Sequence, residues 1–278
     1  MTNSLALEAA AKANRSKVAI GLDASIPSAE RMVNSVVFAT RESFIEPLIV
    51  TNSRDFLKMH VMEHSEDIPI LITEEPEAAL VEILKDGVVD AAVRGNLSSR
   101  KVVSSLKEAF SCKNLCRVSI LEIDGRLVLL APVGIDEGDE LQDLVTLTIN
   151  CMKLADSLGI KFSPAVISGG RFEDAGRSRK VDLLLHESGT LLNALKAVEI
   201  EAKGYGIEIE RALDEGATML LMPDGIYGNL AFRCMALVGS IESYGACATA
   251  IPKLFVDTSR AKSSYLLPLI LASAMGKK

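Results

Sequence analysis

The stretch 220-LLMPDGIYGNLAFRCMALVGSIESYGACATAIPKLFVDTSRAKSS-264 decides the fold of this chain. A short apolar run ends at Pro223, Asp224-Gly225 breaks the chain, and Gly228-Asn229 opens an amphipathic segment that is typical of a helix. A turn of this kind would leave free backbone N–H groups at the start of the helix, where an anion can bind. A further strand follows, so the order is strand, glycine-bearing turn, helix and strand.

The same stretch ends in a polar loop, Thr258-Ser259-Arg260, that follows its second strand. The hydroxyl of Ser259 can donate to an oxyanion, and the guanidinium of Arg260 can form paired hydrogen bonds with a phosphate or a carboxylate. We expect this loop and the Gly228-Asn229 turn to face one cleft that holds a phosphorylated or CoA-type ligand. The alternative is a surface loop with a capping serine.

Apolar runs alternate with helical patterns along most of the chain. In the first part the runs are residues 18–22, 47–50, 68–72 and 88–93, and this alternation is the pattern of a parallel sheet with crossover helices. Two β runs around Asp124-Gly125 then predict a hairpin, and helices are predicted to begin at Pro76, at Leu141 and at about Leu191. We predict an α/β fold of two domains with an interdomain cleft, in which residues 1–134 plus 254–278 form the first domain and residues 135–253 the second.

The composition excludes several classes of protein. Of the 278 residues, 49% are hydrophobic and 24% are charged, which is typical of a globular chain. A net charge of −7, 4% aromatic residues and the absence of Trp argue against binding to nucleic acid. The late apolar stretch 265–275 has about half of the roughly 20 residues that span a bilayer, and the first residues lack the apolar core of a secretory signal. The five cysteines show no disulfide pattern. Together with the short apolar stretch and the absence of a signal, this predicts a reduced, cytoplasmic protein without a membrane partner.

The segment Arg94-Gly95-Asn96-Leu97-Ser98-Ser99 lies between a predicted strand and a predicted helix, where open α/β sheets bind ligands. Gly95 would permit close approach of the backbone to a ligand, and Arg94 adds a positive charge. Ser98 and Ser99 offer hydroxyl and N–H groups. The alternative is an ordinary turn between strand and helix with a serine N-cap.

Residues 168–180 form the densest positive segment of an otherwise acidic chain. Paired glycines beside Arg171, Arg177 and Arg179 suit a phosphate or a phosphoanhydride. The alternative is a solvated loop in which Glu173 and Asp174 neutralise the arginines of the same loop.

Metal-binding patterns are weak. His60 and His64 fit the inverted zinc-protease spelling H-x-x-E-H, yet no third ligand stands out, and a solvated helix face explains them. Cys112 and Cys116 lack a second pair of ligands. We therefore predict no metal site.

The segments PDGIYGNLAFRCM and PKLFVDTSRA resemble the phosphate acetyltransferase and phosphate butyryltransferase superfamily. In that superfamily a Gly-Asn turn precedes a helix, and a Ser-Arg loop follows a strand shortly before the final helix. The chain is most similar to the methanogen branch called methanogenesis marker protein 4, also labelled methyltransferase subunit X, for which the form G-G-R-x-x-D-x-G-R at residues 169–177 is typical. The resemblance implies an isocitrate/isopropylmalate dehydrogenase-like architecture, which is also that of phosphotransacetylases.

The resemblance further implies an activity and a set of site residues. The activity is acyl transfer between phosphate and the CoA thiol, with CoA or acyl-CoA as a substrate and no tightly bound cofactor. Ser259 and Arg260 would be the catalytic pair that contacts the phosphate or thioester and stabilises charge. The resemblance leaves open whether the protein forms a homodimer. The phosphate- or substrate-binding set would be Arg94, Gly95, Asn96, Ser98, Ser99, Ser168, Gly169, Arg171, Arg177, Asp224, Gly228 and Asn229.

Two departures from that superfamily favour an alternative function. Acetyltransferases carry an acidic residue a few positions after the Ser-Arg pair as the base for the CoA thiol, whereas residues 261–266 hold no carboxylate and Asp257 lies before the pair. The loop at Gly169 also lacks the aromatic, hydroxyl and Lys-Gly residues of those enzymes. The alternative is a superfamily member without acyl transfer, which acts as a methyltransferase subunit in methanogenesis or binds another phosphorylated ligand.

Overall fold

The computed structural model describes residues 4–53 and 68–276, which form two compact units. The terminal unit joins residues 4–53 and 68–115 to residues 243–276, and the central unit is Cys116–Glu242. The divisions therefore lie at 115/116 and 242/243, and not at the 134/135 and 253/254 expected from the sequence. The predicted hairpin is the reason for the first difference, because its second strand pairs with a strand of the central unit, Leu129 with Met219.

The terminal unit is built on a mainly parallel sheet. Its described strands run in the order β3-β2-β1-β4-β11-β10, and all neighbours are parallel except β10 and β11. Ile20 of β1 pairs with Ile49 of β2 on one side and with Val93 of β4 on the other. The strands are β1 (Lys17–Leu22), β2 (Glu46–Thr51), β3 (Ile70–Ile72), β4 (Ala91–Val93), β10 (Glu242–Ala248) and β11 (Leu254–Asp257).

The helices of this unit begin and end where local sequence signals favour it. Pro76 occupies the first turn of its helix, where its missing N–H costs nothing, and Gly87 follows the end of that helix with a φ of 72°. Leu80, Leu84, Leu106 and Phe255 are buried in the core that these helices form with the sheet. Its described helices are α1 (Ser4–Asn14), α2 (Ala29–Arg41), α3 (Pro76–Lys85), α4 (Ser99–Ala109) and α9 (Leu266–Gly276).

The last helix packs in the same unit as the first strands. The hydroxyl of Ser16 donates to the carbonyl of Ser273 at 2.9 Å, and the Ser16 amide donates to the Ser273 hydroxyl at 3.0 Å. The side chain of Asn14 donates to the carbonyl of Ala274 at 2.8 Å. These buried polar contacts attach α9 to the end of α1 although about 260 residues separate them in the chain.

The central unit also has a mixed sheet. Its strands run in the order β5-β6-β9-β7-β8, in which β5 and β6 are antiparallel and the other neighbours are parallel. The predicted hairpin is confirmed, because Asp124 and Gly125 join β5 to β6 with φ values of 50° and 70°, as the tight turns of hairpins require. The strands are β5 (Arg117–Ile123), β6 (Arg126–Ala131), β7 (Pro164–Ile167), β8 (Lys203–Gly206) and β9 (Met219–Leu221).

One helix of the central unit begins earlier than the sequence indicated. The pattern predicted a helix from about Leu191, whereas α6 begins at Arg179, because the hydroxyl of Ser178 accepts from the amide of Val181 and caps it. The end of the positive segment is therefore the first turn of a helix. The helices are α5 (Leu141–Ser157), α6 (Arg179–Ala197), α7 (Ile209–Asp214) and α8 (Gly225–Phe232), with a 3₁₀ turn at Phe172–Asp174 and a π-helical turn at Arg233–Val238 after α8.

Three sequence expectations concern what the fold lacks. None of the helices in residues 4–53 and 68–276 combines the length and apolar character needed to cross a bilayer. None of the five cysteines takes part in a disulfide bond, and burial raises the pKa of Cys247 to about 12. Within the same residues no three His, Cys, Asp or Glu side chains are grouped to hold a metal ion. The pair His60 and His64 lies outside the described residues.

An exposed charge cluster fastens α7 to β8 and gives a pH prediction. Glu215 accepts hydrogen bonds from Lys203, from Arg211 at 2.9 Å and from the Tyr205 hydroxyl at 3.2 Å, and the bond from Lys203 is the main cause that lowers the pKa of Glu215 to about 2. Because the pKa is lower in the folded state, the stabilisation is present above about pH 4.5 and is lost as the pH falls towards 2. We expect Glu215→Gln to lower the Tm slightly at pH 7, and this difference to vanish between pH 4.5 and 2.

The matched control for this prediction is Glu210→Gln on the same helix, since Glu210 is exposed and forms no hydrogen bond with the described residues through its side chain. Thermal unfolding of the native protein and the two variants across that pH range provides the measurement. A Glu215→Gln variant whose Tm follows that of the native protein at every pH would contradict the role of the cluster.

Candidate functional site

In the terminal unit, two of the predicted segments meet at the carboxyl edge of the sheet. β4 and β11 are parallel neighbours, and the loops that follow them hold Arg94-Gly95-Asn96 and Thr258-Ser259-Arg260. The hydroxyl of Thr258 donates to the carbonyl of Gly95 at 2.7 Å, which joins the two loops directly. We call residues 94–99 together with Ser259 and Arg260 the terminal-unit site.

Arg94 stabilises the fold of this site through hydrogen bonds within the protein. Its side chain is 6% exposed, and three of its nitrogens donate to protein oxygens: Nε to the carboxylate of Asp257, Nη1 to the carbonyl of Leu97 at 2.6 Å, and Nη2 to the carbonyl of Thr258. The sequence assigned its charge to a ligand, but in the structure that charge is balanced by Asp257. In the sequence, Asp257 is the nearest carboxylate to Ser259-Arg260. Because Asp257 forms an ion pair with Arg94, it is not readily available as a base.

Gly95 and Asn96 hold the β4 loop against the loop that follows β1. Gly95 has a φ of 64°, and a Cβ atom there would lie 2.0 Å from the carbonyl oxygen of Gly21. The side chain of Asn96 is buried, accepts from the amide of Asp23 at 2.7 Å and donates to the Asp23 carbonyl at 2.9 Å. The close approach predicted for Gly95 is therefore an approach to Gly21 of the same protein.

Arg260 differs from Arg94 in exposure and in its hydrogen bonds. It is exposed, and its Nε donates to the carbonyl of Asn96 at 2.9 Å, which fixes the plane of the guanidinium. Its two terminal nitrogens donate to none of the described residues. Beside it, the hydroxyl of Ser259 accepts from the amide of Ala261 at 3.2 Å and retains its own proton for donation.

Ser98 and Ser99 lie at the start of α4, as predicted. Ser98 is the N-cap residue, but its hydroxyl forms no capping hydrogen bond, and its amide donates to the carboxylate of Glu77 at 3.4 Å. Both serines are partly exposed at the carboxyl edge. Both residues can therefore be reached from solvent at this edge.

In the central unit, the Gly228-Asn229 pair does not form a turn before a helix. Both residues lie inside α8, which begins at Gly225, and the carboxylate of Asp224 accepts from the amides of Ile226 at 2.7 Å and Tyr227 at 3.0 Å. The Gly225 amide donates to the carbonyl of Glu137 at 2.8 Å. The prediction of free N–H groups for an anion at this helix start is wrong, because Asp224 and Glu137 already occupy them.

The glycines of α8 are needed for packing against the segment that follows β6. A Cβ atom at Gly225 would lie 1.5 Å from the carbonyl oxygen of Gly134, and one at Gly228 would lie 1.8 Å from that of Pro132. The side chain of Asn229 donates to the carbonyl of Val133 at 2.9 Å. These residues thus seat α8 on residues 132–134, and we call this contact the α8 seat.

Two of the three arginines of the positive segment, Arg171 and Arg177, lie beside acidic side chains. Arg177 donates to Asp174 at 2.6 Å, and this hydrogen bond lowers the pKa of the Asp174 carboxyl. Arg171 lies 3.6 Å from the carboxylate of Glu208. Ser168 is buried and its hydroxyl donates to the carbonyl of Gly170 at 3.2 Å, whereas a Cβ atom at Gly169 would meet Leu184 at 2.2 Å. The alternative of a self-neutralised loop therefore describes Arg177, with Asp174 as its partner.

Two cavities open at the carboxyl edge of the central sheet. One, of about 430 Å³, is lined by Ser168, Gly169, Ser178, Lys180 and Tyr227, together with apolar side chains, and we call it the Lys180 pocket. The other, of about 490 Å³, has Asp139, Glu140, Glu187 and Asp224 among its lining. The Lys180 pocket thus brings together the Ser168-Gly169 segment and α8.

Sequence reasoning missed Lys180 and Tyr227 as members of that pocket. The ammonium of Lys180 lies 5.6 Å from the centre of the Tyr227 ring. The signal for Lys180 was its place just after Ser178, at a helix start. The signal for Tyr227 was an aromatic residue beside Gly228 in a chain with few aromatic residues.

Relatives in methanogens align with almost the whole chain. A protein of Methanosarcina mazei named "Putative methyltransferase mtx subunit X" is 34% identical over 271 residues, which are 97% of this chain and 94% of the relative. An "Uncharacterized methyltransferase" of Methanopyrus kandleri is 37% identical over 266 residues, 93% of this chain and 98% of the relative. The chain belongs to the subunit X family. No protein-family model matches it.

Solved structures similar to this subunit X family member include phosphotransacetylases. The EutD phosphotransacetylase from Staphylococcus aureus has a TM-score of 0.68 at 12% identity, over 99% of this chain and 100% of that one. A branched-chain phosphotransacylase from Enterococcus faecalis has a TM-score of 0.70 at 14% identity, over 94% and 99%. A 4-hydroxythreonine-4-phosphate dehydrogenase from Klebsiella pneumoniae has a TM-score of 0.61 at 8% identity, over 94% and 98%. The predicted α/β fold class and the methanogen branch are confirmed.

Proposed function

We propose that this protein transfers an acyl group between phosphate and the thiol of CoA, with Arg260 of the terminal-unit site as its anion anchor. The observation that supports this is the state of the Arg260 guanidinium. Its Nε is held by the Asn96 carbonyl at 2.9 Å, and its two terminal nitrogens have no acceptor among the described residues. A guanidinium with a fixed plane and two unused donors suits a phosphate, and it stands beside a serine hydroxyl.

In this reaction a CoA thiolate attacks the carbonyl carbon of an acyl phosphate. The C–S bond forms, the carbonyl oxygen becomes an oxyanion, and the C–O bond to phosphate then breaks as phosphate leaves. Ser259 donates its proton in a hydrogen bond to the oxyanion, while Arg260 stabilises the charge on the departing phosphate. Arg94 and Asn96 position this pair, because they fix the loop whose carbonyl group orients Arg260.

A second function is favoured by the state of the nearest carboxylate. Residues 261–266 hold no acidic side chain and Asp257 is paired with Arg94, so neither offers a ready base for the CoA thiol. A protein that retains the anion site without acyl transfer fits these facts. Its relatives are named as methyltransferases, so the second proposal is a methyltransferase subunit that binds a phosphorylated or carboxylated ligand.

The test is phosphate- or arsenate-dependent loss of the thioester from acetyl-, propionyl- and butyryl-CoA. We expect turnover by the native protein, and a decrease of about 10²–10³-fold in kcat/KM for Arg260→Ala, because a charge-stabilising donor is lost at the transition state. Arg260→Lys should recover part of the activity, since it keeps the charge and loses the fork of donors.

The control variant is Arg233→Ala, which should leave the rate within about twofold. It removes an exposed arginine of the π-helical turn whose side chain forms no hydrogen bond or ion pair with the described residues. If Arg260→Ala retained the native turnover, Arg260 would not be the anion anchor of the reaction. Absence of turnover with all three thioesters, together with phosphate binding that is lost in Arg260→Ala, would support the second function.

A further inference from the structure

We propose that the Lys180 pocket binds an organic anion with an apolar body, and that Lys180 rather than Arg171 or Arg177 holds the charged group. This site lies within the central unit. It goes beyond the acyl-transfer proposal, because it requires neither Arg260 nor any turnover.

The cations around the pocket differ in whether a carboxylate lies beside them. Arg177 donates to Asp174 at 2.6 Å and Arg171 lies 3.6 Å from Glu208, so both have acidic neighbours, whereas Arg179 does not line the pocket. Lys180 is exposed, and no described carboxylate lies within the 4.0 Å of an ion pair from its ammonium. The ammonium lies over the face of the Tyr227 ring, which attracts a cation without neutralising its charge.

The lining of the pocket also favours an anion. Of the described residues that line it, none is acidic, whereas Ser168 and Ser178 contribute polar groups. The amides of Arg179 and Lys180, in the first turn of the 19-residue helix α6, have no acceptor among the described residues, so the positive end of that helix adds to the ammonium. The remaining wall is apolar and comprises Ile167, Val181, Leu184, Ile207, Ile209, Met222, Pro223 and Ala231.

The neighbouring cavity has a lining of the opposite charge. That cavity also has apolar walls, but the described residues of its lining include four carboxylates, Asp139, Glu140, Glu187 and Asp224, and neither Lys nor Arg. Like charges repel, so an anion would be disfavoured there and favoured at Lys180. A volume of about 430 Å³ lies within the range of small-molecule sites, and its wall suits a hydrocarbon body rather than a bare inorganic ion.

The shared chemistry is therefore a carboxylate or phosphate head on a short hydrocarbon chain. We would titrate the full-length protein calorimetrically with hexyl phosphate and with hexanoate, which distinguishes the two heads. Inorganic phosphate tests the head alone, and hexanol and hexylammonium test the body without a negative charge. Butyl to octyl phosphates should bind about two- to fourfold more tightly per added methylene until the wall is covered.

Lys180→Met should weaken binding of the better hexyl ligand about tenfold and leave hexanol binding unchanged, because only the charge-assisted contact is removed. Lys180→Arg should retain most of the affinity. The matched control is Arg177→Gln, which removes a 76% exposed cation of the same segment and should change the affinity less than about twofold.

Several outcomes would overturn the proposal. One is equal binding of hexyl phosphate and inorganic phosphate, and another is an Arg177→Gln variant that loses as much affinity as Lys180→Met. A third is no detectable binding of either hexyl ligand. If Lys180→Met altered the fold, Tyr227→Leu, which removes the ring beneath the ammonium, should still lower the affinity for the anion but not for hexanol. Because acyl transfer is measured with variants of Arg260, failure of either proposal can be recognised separately.

Discussion

Replacing Arg94 with methionine is expected to lower the free energy of unfolding by about 3–5 kcal/mol, the cost of leaving one partner of a buried ion pair alone. The side chains of Arg94 and Asp257 are 6% and 12% exposed, so water cannot compensate either charge well. The loss also leaves the carbonyl groups of Leu97 and Thr258 without their donors. The measurement is urea unfolding followed by circular dichroism.

Two further variants separate this role from ligand binding. Arg100→Met removes an exposed arginine in the first turn of α4 and should change stability by less than about 0.5 kcal/mol. The double variant Arg94→Met, Asp257→Asn should lose less than the sum of the two single variants, since neither charge is then left unpaired. If Arg94→Met kept the native stability but no longer bound phosphate, Arg94 would be a ligand-binding residue and not a structural one.

The outcome for Arg94 illustrates what the sequence could predict and what it could not. Strand, turn and helix signals are local, and they correctly predicted the Asp124-Gly125 hairpin and the helix that begins at Pro76. The role of Arg94 depends on Asp257, which lies 163 residues further along the chain. An arginine after a strand has the same local pattern whether its partner is a ligand or a distant carboxylate, so the sequence favoured the ligand.

Gly228 is a second residue whose role the sequence could not predict, here because the role depends on a steric contact with a distant segment. A Gly-Asn pair after a strand is typical of a turn, and the sequence therefore predicted a helix start there. The structure places the pair inside α8, where Gly228 avoids the carbonyl oxygen of Pro132 and Asn229 donates to that of Val133. Those partners lie about a hundred residues earlier in the chain, so no local pattern could identify them. By contrast, Ser259 and Arg260 were predicted from their own chemistry, and the structure brings Arg260 to the predicted Asn96.

The α8 seat depends in turn on a buried ion pair at the start of the central unit. Glu137 is 3% exposed, and its carboxylate accepts from Nε of Arg117 at 2.8 Å and from the Arg117 amide at 2.7 Å. The carbonyl of Glu137 accepts from the amide of Gly225 at the start of α8. The same guanidinium also donates to Asp136 at 2.7 Å, but the side chain of Asp136 is 45% exposed. One arginine therefore has a buried and an exposed carboxylate partner, which gives a matched comparison.

We expect Glu137→Gln to lower the free energy of unfolding by about 3–5 kcal/mol, because it leaves the buried Arg117 charge without its main partner and turns an amide donor towards other donors. Asp136→Asn should cost no more than about 1 kcal/mol, since an exposed pair is well solvated. Hydrogen–deuterium exchange of residues 225–229 should accelerate in Glu137→Gln and remain near the native rate in Asp136→Asn, because the amide of Gly225 bonds to the segment that Glu137 fixes. Equal exchange in the two variants would mean that α8 is held by its glycine contacts alone and that the ion pair only stabilises the start of β5.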